Sequence, residues 1–119
     1  MPHTAQMTTL STDMRACIDN CLQCFAACEE TKAHCIELGR RHVDSQHLTS
    51  LADCAVLCST SANLMLRMSP LHARACGLCA NACDRCRESC ERVDSNDDTM
   101  RRCIDLCERC ADSCRRMAA

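Results

Sequence analysis

Sixteen of the 119 residues are cysteine, and most recur three or four positions apart. The first group is Cys17, Cys21, Cys24, Cys28 and Cys35, followed by Cys54 and Cys58. Next come Cys76, Cys79, Cys83, Cys86 and Cys90, then Cys103, Cys107, Cys110 and Cys114. Thiols at this density allow three chemistries: disulfides, a core of small apolar side chains, or soft-metal binding. Neighbours three or four apart on one helix face are poorly oriented for bridging one another, which weakens the disulfide reading. Leucine would fill a core better and without risk of oxidation, so packing alone does not call for these thiols. Metal remains.

Soft thiolates select Cu(I), zinc and iron–sulfur clusters. Four thiolates around zinc leave two excess negative charges, and several such sites would stack charge inside a low-dielectric core. Iron–sulfur clusters, like clustered zinc, usually draw on loops that wrap the site. Cu(I) accepts two or three thiolates, each thiolate can bridge two ions, and one copper per sulfur is electrically neutral. By that stoichiometry the ceiling is on the order of 16 ions per chain, a capacity suited to storage. An iron–sulfur or thiol redox protein is the alternative.

Composition narrows the classes further. There is no Trp or Tyr, a single Phe (Phe25), and seven Met. The net charge of −2 gives no basic footprint for nucleic acid, and no apolar run is long enough to span a membrane. The opening residues Met1 to Leu10 lack a basic, then apolar, export pattern, so a cytoplasmic location with reduced thiols is expected. No Gly-rich phosphate loop or isolated nucleophile–base pairing is visible, and no enzyme is expected.

The elements that must position the thiols are helices. Only two Gly and two Pro interrupt the chain. Capping residues Ser11-Thr12-Asp13, Asp44-Ser45, Ser69-Pro70 and Ser95-Asn96-Asp97 open segments of roughly 12–42, 46–68, 70–93 and 97–117. Alternating steps of three and four join Met7, Leu10, Met14, the cysteines, Leu38 and His42 in the first segment. The same steps join His47, Leu51, Ser61, Met65 and Met68 to the second segment's cysteines, and His72, Val93, Met100 and Met117 to those of the last two. These are interior positions of a helix bundle, while the intervening residues of the last two segments are largely charged. Short connections predict an all-α, antiparallel up-down four-helix bundle with a cysteine-lined core. Residues 1–11 are expected as a tail or short helix, and 12–117 as the bundle.

The repeated Cys-x3-Cys-x2-Cys-x3-Cys runs, and the ending Cys114-Arg115-Arg116-Met117-Ala118-Ala119, resemble the bacterial copper-storage proteins, in particular their cytosolic branch. That resemblance implies a four-helix bundle, often a homotetramer, with multiple Cu(I) ions held along its axis by cysteine thiolates. It also implies a copper mouth at the end carrying the first-to-second and third-to-fourth connections. In cytosolic relatives the latter is often rich in His; here Val93 to Met100 contains none. The expected partners are copper ions, a copper donor or acceptor protein, and further copies of the chain.

Seam continuity places His42, His47 and Met100 at the mouth as auxiliary metal ligands, beside Asp97 and Asp98. Cys35, Cys54, Cys90 and Cys103 are the nearest thiols by axial level. His72, Met14, Met65, Met68 and Met117 fall at the opposite end, where Met suits a hydrophobic plug. His3 and His34 lie off the seam and are expected on the surface. The second segment carries two cysteines, so the other three are expected to supply most of the metal-binding wall.

Overall fold

Ser11 starts the first helix by accepting the Met14 N–H on its Oγ at 3.1 Å, satisfying one of the donors that a helix start leaves free. Helix α1 then runs Thr12–Leu38. It stops short of the expected residue 42 because Gly39 takes φ 71° and ψ −161°, a backbone region open essentially to glycine alone. A 3-10 turn, Arg40–Val43, leads into α2, Ser45–Leu66. At the end of α2 the Ser69 N–H bonds to Leu64 O and the Met68 N–H to Met65 O, with Met68 at φ 55°. This paired pattern reverses the chain out of the helix. Ser69 Oγ accepts the Leu71 N–H at 3.1 Å, Pro70 follows it, and α3 spans His72–Asp94. Asp97 caps α4, Asp98–Ala118.

The computed structural model describes residues 10–119. His3, Met7 and most of the expected tail over 1–11 lie outside the described residues. Within them the chain forms the expected antiparallel four-helix bundle. Helices α1–α2, α2–α3, α3–α4 and α4–α1 pack as neighbours, whereas the diagonal pairs do not bring Cα atoms within 8 Å. The space on the axis is filled by side chains reaching across it. All sixteen cysteines are buried and unbridged. With them sit Leu51, Met65 and Met100, each fully buried, and the small residues Ala55, Ala62, Ala80 and Ala111. Small side chains on the seam keep the helices close enough for thiols to meet.

The outer faces of α3 and α4 are charged as expected, with Arg87 bound to Glu91 at 2.6 Å and Arg115 to Asp84 at 2.7 Å. Exposed pairs of this kind stabilise little and serve mainly solubility. Elsewhere the surface keeps exposed apolar side chains: Leu22 and Ile36 on α1, Val56 on α2, and Leu78 on α3. No helix among the described residues is long and apolar enough to cross a membrane.

Candidate metal centre

Each helix turns its cysteine stripe to the axis, so thiols from diagonal helices touch where backbones do not. Cys28 of α1 lies 3.9 Å from Cys86 of α3, and Cys58 of α2 lies 3.8 Å from Cys110 of α4. Sulfur-to-sulfur contacts run from 3.6 Å, as in Cys54–Cys83, to 4.0 Å, as in Cys28–Cys103. Such spacing matches the edge of a three- or four-coordinate site with metal–sulfur bonds of about 2.3 Å.

The thiols group into fours, and the fours share members. Five of them, from the closed end towards the mouth, are Cys21/Cys79/Cys110/Cys114, Cys58/Cys79/Cys83/Cys110, Cys24/Cys54/Cys58/Cys83, Cys24/Cys28/Cys54/Cys107 and Cys28/Cys86/Cys103/Cys107. In each group all four sulfurs lie within 4.8 Å of one another. Consecutive groups share two cysteines: Cys79 and Cys110, then Cys58 and Cys83, then Cys24 and Cys54, then Cys28 and Cys107. The result is a ladder of edge-sharing tetrads along the bundle axis, in which every interior thiol faces two sites. Bridging is built into the placement.

This ladder corrects one expectation. Four helices close four-thiol sites without any loop, so the need for wrapping loops does not argue against zinc here. Edge sharing also reduces the excess negative charge that isolated zinc sites would stack. Iron–sulfur clusters fare worse, because iron and sulfide must stand between the cysteine sulfurs. Thiols already 3.6–4.0 Å apart leave no room for that core.

In the tetrad nearest the mouth, Cys28, Cys86 and Cys107 are pushed well above the ordinary thiol range, first by their bonding to Cys103 and also by burial. Cys35 is pushed up to about 11 by burial, with Asp97, Cys103 and Asp94 adding to it. Cys103, the fourth member of the tetrad, is pushed the other way by its bonds to Cys107, Cys28 and Cys86, so the protons of the tetrad sit on its three neighbours. Each becomes a thiolate when a soft cation replaces its proton.

At the mouth, two helix starts are built alike. Asp44 caps α2 and accepts the His47 N–H at 3.2 Å; Asp97 caps α4 and accepts the Met100 N–H at 3.0 Å. Each capping carboxylate is tied to a basic side chain of another helix, Asp44 to Arg92 at 3.1 Å and Asp97 to His34 at 2.8 Å. The Arg92 hydrogen bond holds Asp44 below the usual carboxylate range. For Asp97 burial acts the other way, but the bonds from His34 and the Met100 N–H outweigh it and keep the group low. Both caps therefore stay ionised and fix the third residue of their helices.

Those third residues, His47 and Met100, are fully buried and converge on one thiol. Cys35 Sγ lies 3.3 Å from His47 Nε2 and 3.8 Å from Met100 Sδ. Burial, and after it the Arg92 charge, lower the pKa of His47, so its imidazole is neutral and able to bind a metal. The set is one nitrogen and two sulfurs, all soft or borderline donors.

His42 stands at the same end but does not join this trio. Its Nε2 donates to Asp94 Oδ2 at 3.0 Å, and Arg41 reaches the same oxygen at 3.4 Å. Nor does Cys54 lie next to the mouth: Leu51 fills the α2 wall there, and Cys54 belongs to the middle tetrads. His34 is half-buried against Asp97 rather than free on the surface. Cys54 and Cys58 each occur in two of the five tetrads named, and the other three helices supply the remaining members. The residue that sequence reasoning missed altogether is Ser89, whose Oγ lies 2.7 Å from His47 Nδ1. No motif marks it.

The opposite end is closed by Met65, fully buried, with Met14 and Met117 packed against the core. Met68 is exposed, and His72 bonds the Ser69 carbonyl at 2.9 Å.

Comparison with known proteins agrees with this arrangement. No curated protein sequence matches the chain. A crystal structure of a protein from Nitrosospira multiformis superposes with a TM-score of 0.82 at 41% identity, covering 89% of this chain and 94% of that one. A Cu(I)-bound copper storage protein, BsCsp3, gives 0.83 at 32% identity over 91% of this chain and 100% of the other. The apo form of copper storage protein 3 from Bacillus subtilis gives 0.78 at 33%, over 88% and 98%. The family model for copper storage proteins matches residues 10–119. The chain belongs to the copper storage protein family.

Proposed function

We propose that this protein stores and buffers multiple Cu(I) ions as thiolate complexes along the axis of its four-helix bundle. The observation that carries the reading is the ladder of edge-sharing thiol tetrads. Cu(I) replaces one thiol proton per ion, so the core changes from neutral thiols to neutral copper–thiolate pairs, and one scaffold suits both states. All sixteen cysteines are the proposed ligands, with the ends of the ladder completed by Cys17 and Cys76 at one side and Cys35 and Cys90 at the other. Membership of a family that includes a Cu(I)-bound structure supports copper over zinc. The family is one of storage proteins, and we assign the chain no catalytic role.

The trio Cys35, His47 and Met100 is the proposed point of capture. A cation held there is next to the tetrad of Cys28, Cys86, Cys103 and Cys107, and can be passed inward from thiolate to thiolate. His42 serves the same end indirectly, by tying the 3-10 turn to α3 through Asp94. The protein acts in the cytoplasm, where thiols stay reduced, and exchanges copper with a donor or acceptor protein at the mouth. Exposed Leu22, Ile36, Val56 and Leu78 support assembly into a homo-oligomer, a tetramer by analogy. Residues 12–117 form the storage domain, with 1–11 a leading segment.

Anaerobic titration with Cu(I) against a colorimetric chelator, followed by metal analysis, tests the function. Saturation near 16 equivalents, at roughly one copper per thiol, is expected, with a colourless product. Saturation at four or five, with zinc displacing copper, would overturn it.

A further inference from the structure

Both ring nitrogens of His47 are engaged inside the protein. Nε2 faces Cys35 Sγ at 3.3 Å, and Nδ1 faces Ser89 Oγ at 2.7 Å. His47 is fully buried and Ser89 is 7% exposed, so bulk water does not compete for either contact. A neutral imidazole carries one N–H and one lone pair, and only the lone pair can bind a metal. The nitrogen that keeps the proton therefore decides whether His47 presents a ligand or an N–H to the mouth. Ser89 comes from α3, across the interface from α2, and its hydroxyl can accept a hydrogen bond.

We propose that Ser89 is a positioning residue for copper capture, accepting the Nδ1–H of His47 and so holding the Nε2 lone pair over Cys35 and Met100. The proposal rests on the reading of that trio as the point of capture. Metal-bound histidines generally donate the other ring N–H to a fixed partner, which sets the tautomer and the ring plane. A serine suits this place for two reasons. Alanine would leave a buried ring nitrogen unpaired, and cysteine would add a competing ligand beside Cys90.

Capture then proceeds without any redox change. Cu(I) forms bonds to His47 Nε2, Met100 Sδ and Cys35 Sγ, and the Cys35 thiol proton leaves to solvent. The proton on Nδ1 stays where it is. If Nε2 carried the proton instead, its N–H would point at the incoming cation and the nitrogen would have no lone pair to offer. The same Asp44 cap that fixes the His47 backbone leaves only ring rotation and tautomer to be set, and Ser89 sets both.

The test uses reduced apo-protein labelled with 15N at histidine, with the His47 signals assigned by their loss in His47→Ala. Long-range proton–nitrogen correlation is expected to show His47 protonated at Nδ1. Ser89→Ala should lose that single tautomer, and Ser89→Thr should restore it. In parallel, Cu(I) loading from a colorimetric chelator should slow about 10- to 100-fold in Ser89→Ala and recover in Ser89→Thr. A wild-type His47 protonated at Nε2 overturns the proposal, and so does a Ser89→Ala protein with an unaltered tautomer. Normal loading of Ser89→Ala beside slow loading of His47→Ala also overturns it, while leaving the capture reading intact. Normal loading of His47→Ala itself sinks the capture reading, and the role of Ser89 with it.

Discussion

The two ends of the bundle are made from the same four helices yet differ in nearly every polar detail. At the mouth, both helix starts are capped by aspartates, both caps are tied to another helix, and each fixes a buried donor side chain. At the closed end, α1 begins with an exposed serine cap, α3 begins without a side-chain cap, and the interior is finished by methionines. The mouth leaves no buried side-chain polar atom without a partner among the described residues, while the closed end holds one, Ser61 Oγ. Rigid placement of a few polar groups is the mark of a site that binds, and adaptable thioether packing the mark of a seal. The difference is the one that the proposed capture site requires, fixed polar groups at one end and apolar packing at the other.

The largest effect that would break this comparison is kinetic. In His47→Ala/Met100→Ala protein, which loses two donors of the trio, loading by Cu(I) is expected to slow by more than the roughly 10- to 100-fold of Ser89→Ala. A protein changed instead to Met14→Leu/Met65→Leu/Met117→Leu should load normally, since volume-conserving apolar changes disturb a core little. Stopped-flow transfer from a coloured chelator measures both. Slowing confined to the second variant would place the mouth at the wrong end.

Gly39 sharpens the same point through the backbone. Its φ of 71° and ψ of −161° end α1 and allow the 3-10 turn that brings His42 to Asp94. Gly39→Ala meets no steric obstacle from neighbouring atoms, so its cost is conformational. A loss of about 1–3 kcal/mol is expected from chemical denaturation. Hydrogen exchange should show the loosening at the mouth and not among the methionines.

Between the ends the ladder predicts a graded response. Cys83 belongs to two tetrads, so Cys83→Ser should lower capacity by about one or two ions out of on the order of 16. Metal analysis of the loaded variant checks the number. Loss of all binding would mean a single cooperative cluster in place of a ladder.

Much of this was legible in the sequence, for a definite physical reason. Steps of three and four along a helix fix which side chains share a face, so Cys17 through Cys35 and Cys76 through Cys90 could be placed on the axis by counting. The capping residues Ser11, Asp44 and Asp97 mark three starts because their short polar side chains satisfy free N–H groups, whereas α3 begins at His72 without a side-chain cap, two residues past the expected start at Pro70. Counting fails where the chain leaves the helix. His42 continues the arithmetic of the seam, but Gly39 has already ended α1, and the residue lands on Asp94. Cross-helix relations were equally hidden, since spacing along one helix says nothing about axial registry with another. That is why Cys54 was expected at the mouth, and why Ser89 and His34 carried no signal.

Ser61 is the smallest expected effect and bears on the closed end. Cys58 meets Cys79, Cys83 and Cys110, and Ser61 lies one turn further along α2. The tetrad beyond takes Cys21, Cys79, Cys110 and Cys114, two from α4 and none from α2. Ser61 thus occupies the seam position where α2 supplies no thiol, with a hydroxyl that finds no hydrogen-bond partner among the described residues. Leaving a buried hydroxyl unpaired costs free energy, so Ser61→Ala should stabilise the apo-protein by about 1 kcal/mol. Urea denaturation of the reduced protein reads the change, and the same variant should keep its full copper capacity. Ser61→Cys should instead add about one ion, because a sulfur there can bridge to the neighbouring tetrad. A destabilised Ser61→Ala protein would mean that the hydroxyl is held by a bond that the apo core does make. The contrast in buried unpaired groups would then disappear, leaving the aspartate caps and the capture trio to distinguish the two ends.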